Sequence, residues 1–533
     1  MPSPDPASTE ADDGARTRVA VLAAVVTGLL TTSVVLWGSV GSDIRLVRDH
    51  VTVPDPARPV GGLFPTGAAE LRAWPLDGVT WLLTRAFPAG STQSALVVLS
   101  VLAGGVGVGV LLRRRGVTAV AAAVVVGVWN PYVAERLLLG QPAVLLGAAA
   151  LPWVLLAARA RTRLRRRLVL LTLAMAPAAV TPWGGVVALG AAVLGTASRG
   201  DRTWRDVTVV GGLGLLGCAP WLVPALVGGG VDADPDGAAA FALADDTGAG
   251  ALVSALLGGG IWAPGAVPQS RTEVLALGCS LALLLAALAG AVVGLRGRRR
   301  LAALAALLLP AAVLALASGP ALPVTTALQS IPGVALVRDQ HRLLAPTVLV
   351  GALLVGLLVE VVGRSAGRPA AAVVAVLAVG LAVGSVPDLP RTLRTAYRPV
   401  DFPADWRSAT AAATPPRGAV LSLPWQPLRR PAWRGAGPAF LDPTPRAVHV
   451  EVLTSGVLTV RREDRVLVVD DTPVLDASDW ARGVVTGESL RRHGIVRVVE
   501  WLGTPGTLPA SRRGWVLLHD GPDLRVWDVT AAS

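Results

Sequence analysis

The sequence predicts an α-helical polytopic membrane protein of about eleven spanning helices, followed by a small C-terminal extracytoplasmic α/β region. Three observations carry this reading. Of 533 residues, 53% are hydrophobic and 16% charged, with a mean hydropathy of +0.58, more apolar than a water-soluble chain usually is. The net charge of +12 comes from arginine alone, since no lysine occurs, and the arginines sit in short runs between apolar segments. Near Asp388 the composition changes: aspartate and arginine rise and short β-rich runs begin.

The elements follow in order. A polar tail, residues 1–17, precedes an apolar run from Val19 to Val40 that is too long for a signal-peptide core, so it should remain as an uncleaved first helix. Further apolar runs begin near Ala95, Val117, Gln141, Leu168, Trp183, Val207, Glu273, Leu301, Leu343 and Pro369. Thr181, Pro182 and Trp183 break the pair after Leu168, which reads either as two spans joined by a tight turn or as one re-entrant hairpin. The membrane part is thus residues 18–387, with a long first outer loop at 39–93.

Orientation follows from charge, because short cytoplasmic loops accumulate arginine. Alternate loops read Arg113-Arg114-Arg115, "RARTRLRRR" from Arg159, "RGDRTWRD" from Arg199, "RGRRR" from Arg296, and Arg364 with Arg368. The N-terminus is therefore expected in the cytoplasm of a multi-pass plasma-membrane protein, and residues 388–533 outside. Arginines in this arrangement report topology; a nucleic-acid partner is not expected despite a pI near 11.2. Cys218 and Cys279 both lie in apolar runs and read as core residues.

The outer segments hold the polar residues that invite chemistry. In the first loop Leu71, Trp74, Val79, Leu82 and Leu83 interleave with Glu70, Arg72, Asp77 and Arg85, a pattern for an amphipathic interfacial helix that Pro75 would divide. "WNPYVAERLLLGQ" from Trp129 carries Glu135, Arg136 and Gln141, either substrate-binding residues or a Glu135–Arg136 structural pair. "RDQHR" carries Arg338, Asp339, His341 and Arg342, either an anion site or a charged marker of the membrane interface. His50 beside Asp49 reads as solvated or as a metal ligand. "DADPDG" from Asp232 matches half of a calcium loop, but Leu243 occupies the twelfth position and Pro235 interrupts the run, so it reads as a solvated acidic loop.

Beyond Asp388, "GAVLSLPW", "RVLVVDD", "GIVRVVEW", "GWVLLHD" and "LRVWDV" read as strands and Trp480–His493 as a helix between them. In the exposed-looking "LPWQPLRRPAWRG", Trp425, Arg429, Arg430, Trp433 and Arg434 suit stacking on sugars or lying on lipid headgroups, or else the tryptophans are buried anchors.

Together these features resemble the GT-C superfamily, and specifically actinobacterial envelope glycosyltransferases of the arabinofuranosyl and mannosyl type. The resemblance rests on the long acidic first outer loop, the "NPYVAERLLLGQ" connection and the "RDQHR" segment. It implies transfer of a sugar from a polyprenyl-phosphate donor in the membrane to a cell-envelope polysaccharide or glycolipid acceptor. It also implies an acidic residue just after the first helix as general base or ligand of a divalent metal ion. The matching position is Asp43, with Asp49 second; relatives carry adjacent or once-spaced acidic pairs, a pattern from which this chain departs. Arg338, His341 and Arg342 would take the donor phosphate, with Asp339 orienting an arginine or binding a cation. A lipid or polysaccharide transporter would need a polar path that the apolar spans do not offer. A non-catalytic scaffold of the same architecture is the other reading that the departure leaves open.

Overall fold

The computed structural model describes residues 6–60, 74–200, 203–227, 234–329, 331, 334, 338–435, 437–462, 465–470 and 474–530. The chain is mostly helical, and seven helices among the described residues are long and apolar enough to cross a membrane: Gly14–Val35, Ala89–Leu111, Val117–Leu138, Trp204–Pro224, Val274–Gly294, Gly297–Ser318 and Gln340–Ser385. Pro142–Ala158 and Pro182–Ala197 are apolar but shorter. The last of the seven contains two of the predicted runs: its helix is interrupted at Gly367, at φ +87°. A Cβ on Gly363 would lie 3.1 Å from the Cβ of Ala371, so the chain doubles back there as a hairpin. Leu164–Ala179 and Pro182–Ala197 are separate helices joined by a turn, with the Thr181 hydroxyl accepting from Gly184 N at 3.1 Å. Thr181 acts as an N-cap, and Pro182 follows at the first helical position, where a missing N–H costs nothing.

The arginine-rich connections gather at one end of the helices. Arg115 and Arg364 both pair with Glu360, Arg167 pairs with Asp206 at 3.1 Å, and Arg199 donates to the Ala160 carbonyl at 2.7 Å. The opposite end carries the first loop and the C-terminal region. Trp129 Nε1 donates to Val386 O at 2.9 Å and Tyr397 Oη to Leu137 O at 2.7 Å.

The first loop is stitched to the C-terminal region rather than free. Val400 N donates to Ile44 O at 2.9 Å, Leu441 N to Arg48 O at 2.8 Å, and Arg434 to Leu46 O at 3.0 Å. Leu46, Val51, Val400 and Phe440 close an apolar cluster beneath these bonds. After the loop, α2 (Leu76–Thr84) begins directly behind Pro75. The expected amphipathic pattern at Glu70, Leu71 and Arg72 lies outside the described residues, as does Asp232 of the acidic loop.

The C-terminal region is a five-stranded mixed sheet. Taking β1 (Ala419–Leu423), β2 (Val452–Leu453), β3 (Ile495–Trp501), β4 (Val516–Asp520) and β5 (Leu524–Asp528), the order is β2-β1-β3-β5-β4. β1 runs parallel to β2 and β3, while β5 pairs antiparallel with β3 and β4. One face packs on Trp406 and Ala409, the other on Trp480 and Leu490. Trp480–His493 forms two short helices, Ala477–Ala481 and Gly487–Arg492, not one, because Gly483 takes φ +76° between them. In "LPWQPLRRPAWRG" the buried alternative holds for Trp425, while Arg429 and Arg434, expected at the surface, are buried as well because protein acceptors meet their guanidinium groups. Arg429, with no exposed surface, pairs with Asp442 at 2.6 Å. Only Arg430 of the arginines is exposed.

Candidate functional site

The helix Val117–Val128 ends at Trp129, which takes an extended backbone conformation, and Asn130 restarts helical geometry. Its side chain accepts from Val133 N at 3.0 Å, and Pro131 follows at the first position, a standard helix start. The resulting short helix, Pro131–Leu138, is buried along its whole length. It therefore carries Glu135 and Arg136, both without exposed surface, into protein interior rather than into an outer loop. The expected Glu135–Arg136 pair does not form; each faces different partners.

Arg136 makes a two-pronged bond to Asp339, at 2.7 and 2.8 Å. The Arg136 guanidinium also donates to Gln141 Oε1 at 2.6 Å and lies 2.8 Å from His341 Nδ1. A guanidinium only donates, so His341 Nδ1 accepts and its Nε2 carries the proton; Nε2 lies 3.1 Å from Glu135 Oε2 but out of hydrogen-bond alignment with it. Glu135 Oε2 accepts from Ile261 N at 3.1 Å. His341 stacks on Tyr132 with ring centres 5.1 Å apart. Asp339 receives a second arginine, Arg342, at 3.0 Å. Burial alone would raise Asp339, but the charges of Arg136 and Arg342 win and hold its carboxyl well below the usual range.

Two residues that no sequence pattern singled out complete the cluster. Arg271 binds Asp246 at 2.9 and 3.3 Å, and its Nε lies 4.0 Å from Glu135 Oε1. Burial opposes ionisation of Asp246, yet the charge of Arg271 and its hydrogen bonds bring it down to about 2. The closure needs Gly259, where a Cβ would sit 2.3 Å from Asp246 and 2.8 Å from Glu135. Asp246 follows Asp245, whose carboxylate accepts turn N–H groups from Thr247, Gly248 and Gly250; the sequence does not say which of the two turns inward.

The cluster reaches the first loop through Gln141. With Oε1 fixed by Arg136, the Gln141 amide must present Nε2 outward, and it donates to Asp49 Oδ2 at 2.8 Å. The approach requires Gly140, at φ +77°, since a Cβ there would lie 2.1 Å from the Val47 carbonyl and 2.7 Å from His50 N. On the facing segment Arg48 itself takes φ +46° and donates to Gly265 O at 2.7 Å, a left-handed backbone held by its surroundings.

Asp49 also lines a cleft between the first loop, α2, the helix Ala89–Leu111 and the C-terminal region, together with His50, Asp77, Trp81, Thr92 and Arg446. Burial pushes the Asp49 carboxyl up, against the Gln141 hydrogen bond and the charges of Arg342 and Arg48. His50 is buried instead of solvated, and burial, with Arg446 adding to it, holds it neutral, down to about 3. His50 Nε2 and Thr92 Oγ1 are buried without partners. Asp77 is paired with Arg446 at 3.4 Å.

Of the residues chosen from sequence, the structure brings together Asp49, Glu135, Arg136, Gln141, Asp339, His341 and Arg342. Asp43 is exposed and lines neither cluster nor cleft; only its backbone carbonyl is engaged, by Arg45 at 2.7 Å. Arg338 lies over the Phe241 ring at 4.3 Å. Among the described residues no group of three or more His, Cys, Asp or Glu is arranged around a metal position; a divalent ion entering the cleft would meet Asp49 and Asp77. Comparison with protein-family models and with curated proteins finds no match to the chain.

Proposed function

We propose that the chain is a membrane glycosyltransferase of GT-C type, moving a sugar from a polyprenyl-phosphate donor to a cell-envelope polysaccharide or glycolipid, with Asp49 as general base. The observation that carries this is the cleft itself. A carboxylate raised by burial stands beside two unpartnered buried polar atoms, His50 Nε2 and Thr92 Oγ1, next to a helix whose apolar side chains are exposed. Buried polar atoms without partners are uncommon, and sugar hydroxyls would satisfy both. In the reaction the acceptor hydroxyl gives its proton to Asp49 as its oxygen bonds to the anomeric carbon. The bond from that carbon to the donor phosphate oxygen breaks, and the phosphate keeps the electron pair. The buried cluster takes no proton in this scheme; Gln141, anchored by Arg136, holds Asp49 in place.

A non-catalytic scaffold is the second reading, favoured by the way Asp339, His341 and Arg342 are occupied by protein partners. Transfer of label from a polyprenyl-phosphate sugar to an envelope glycan by the purified chain separates the two. Absence of transfer across donor sugars leaves only the scaffold.

In this proposal eleven helices span the plasma membrane, with the arginine-rich ends and the N-terminus in the cytoplasm. Cysteines introduced at Arg163 and Arg298 should then react with a bulky impermeant reagent only after permeabilisation, whereas those at Pro235 and Ala432 react in intact cells. The reverse pattern at Ala432 would overturn the orientation. Cys218, buried, is a minor background; Cys279 is removed first.

A further inference from the structure

The helices Pro142–Ala158, Leu164–Ala179, Pro182–Ala197 and Trp204–Val227 share an apolar cluster of their own, built on Val154, Leu171, Met175, Ala188 and Val210. Two arginine-rich connections meet at one end of it. Arg159 Nε donates to Ser198 Oγ at 3.3 Å, Arg199 to the Ala160 carbonyl at 2.7 Å, and Arg167 pairs with Asp206 at 3.1 Å. Residues 159–167 are thereby held against residues 198–206. Arg161, Arg163, Arg165, Arg166 and Arg205 are exposed there and make no ion pair among the described residues. Asp206 is the one carboxylate described in either connection, and the buried Arg167 takes it. The helix Leu164–Ala179 also begins without a side-chain cap and without an acidic residue in its first turn, so Arg165 and Arg166 add positive charge where the peptide dipoles already point their positive ends.

Cations gathered in this way repel one another, and a bound anion relieves the repulsion. The surface beside them selects its kind. Arg166, Val169, Leu170 and Leu173 fall at helical spacing on one face, and the three apolar members are 58%, 38% and 67% exposed. Trp204, beside Arg205, is 84% exposed, a residue type that settles at headgroup depth. In the membrane arrangement proposed above, charge and apolar wall meet at the surface of one leaflet.

We propose that these two connections form a binding site for an anionic glycerophospholipid of that leaflet, with its phosphate on Arg165, Arg166 and Arg205 and its acyl chains along Val169 and Leu173. Guanidinium forks take phosphate oxygens in pairs, and basic pockets between helix ends are where anionic headgroups bind. The bound lipid neutralises the converging arginines and holds the two connections together. The site is independent of the reaction at Asp49 and serves a transferase and a scaffold alike. A soluble phosphate compound or an acidic polypeptide would satisfy the arginines but leave the apolar wall uncovered, and the experiment separates both from the lipid.

The full chain in a neutral detergent is titrated with radiolabelled phosphatidylglycerol, and its unfolding temperature is compared in phosphatidylglycerol and in phosphatidylcholine. The parent should bind phosphatidylglycerol and unfold at a higher temperature with it than with phosphatidylcholine. Arg165→Gln/Arg166→Gln should weaken binding by about thirty-fold, because each arginine near an anionic lipid surface contributes about a factor of five, and phosphatidylglycerol should no longer raise its unfolding temperature. Arg298→Gln/Arg299→Gln removes the same charge from another arginine-rich connection and should lose far less. If the first pair proves unstable in phosphatidylcholine, Arg205→Gln alone, on the other connection, must still weaken binding by about fivefold. Equal losses in the two glutamine pairs would mean diffuse attraction and overturn the site, as would phosphatidylglycerol that binds no better than phosphatidylcholine. Glycerol phosphate and polyglutamate, which carry the charge without acyl chains, should not displace the lipid; displacement by either at a concentration equal to that of the lipid overturns the phospholipid assignment.

Discussion

Asp49→Asn is expected to lower sugar transfer by about 10²- to 10⁴-fold, the usual contribution of a positioned general base, whereas Asp43→Asn should transfer near the parental rate. Asparagine keeps the size of Asp49 and its contact with Gln141 while removing the proton-accepting charge. Donor binding should survive, so the loss falls on kcat more than on KM. Asp43 is exposed and outside the cleft, which is why its substitution should be silent. A pH profile gives a second readout. The base must be ionised to work, and burial raises the Asp49 carboxyl, so activity should fall on acidification at a pH above the ordinary aspartate range. A profile flat through that region, or transfer lost in Asp43→Asn and kept in Asp49→Asn, would return the role to the residue nearest the first helix.

The membrane helices and the strands of the C-terminal sheet were legible because each is written in a local period. Apolar runs bounded by arginine become helices, and runs such as "GIVRVVEW" become strands. The "RDQHR" and "NPYVAERLLLGQ" segments were also legible as places where charge meets apolar sequence, and the structure joins them through Arg136 and Asp339. What the sequence could not convey was depth. Glu135 and Arg136 looked like members of an outer loop, yet Asn130 and Pro131 restart a helix that buries them completely. Arg429 looked like a surface group for the same reason: burial of an arginine depends on an acid outside its own segment, here Asp442. Position alone favours Asp43, nearer the first helix, over Asp49. They are told apart by Gly140, whose left-handed backbone lets the chain after Leu139 close on Asp49 and His50 and not on Asp43. Arg271 and Asp246 sit in turns with no period at all, so nothing local marked them.

Arg136→Leu should be the most damaging substitution for the fold, costing about 3–5 kcal/mol, the range for breaking a buried ion pair by removing one partner. The size of the loss comes from what stays behind. Asp339 would keep Arg342 alone, His341 Nδ1 and Gln141 Oε1 would lose their donor, and Asp339 and His341 are too deeply buried to recruit water. Arg136→Lys should recover only part, since an ammonium keeps the charge but cannot span both Asp339 oxygens and Gln141 at once. The informative comparison is Arg136→Leu/Asp339→Leu. A buried pair need not be more stabilising than apolar groups of similar volume, so the double variant should unfold with a smaller penalty than Arg136→Leu; Arg342, whose side chain is 23% exposed, can turn to water. Equilibrium unfolding of the purified proteins in one detergent measures all three. Additive losses in the double variant would mean that Arg136 and Asp339 act independently, and the cluster would then not be a coupled unit. Coupling also has a consequence at the cleft: Gln141 without its anchor is free to flip its amide, so Arg136→Lys, if folded, should lose transfer rate while keeping donor affinity, the pattern of a positioning residue acting through Asp49.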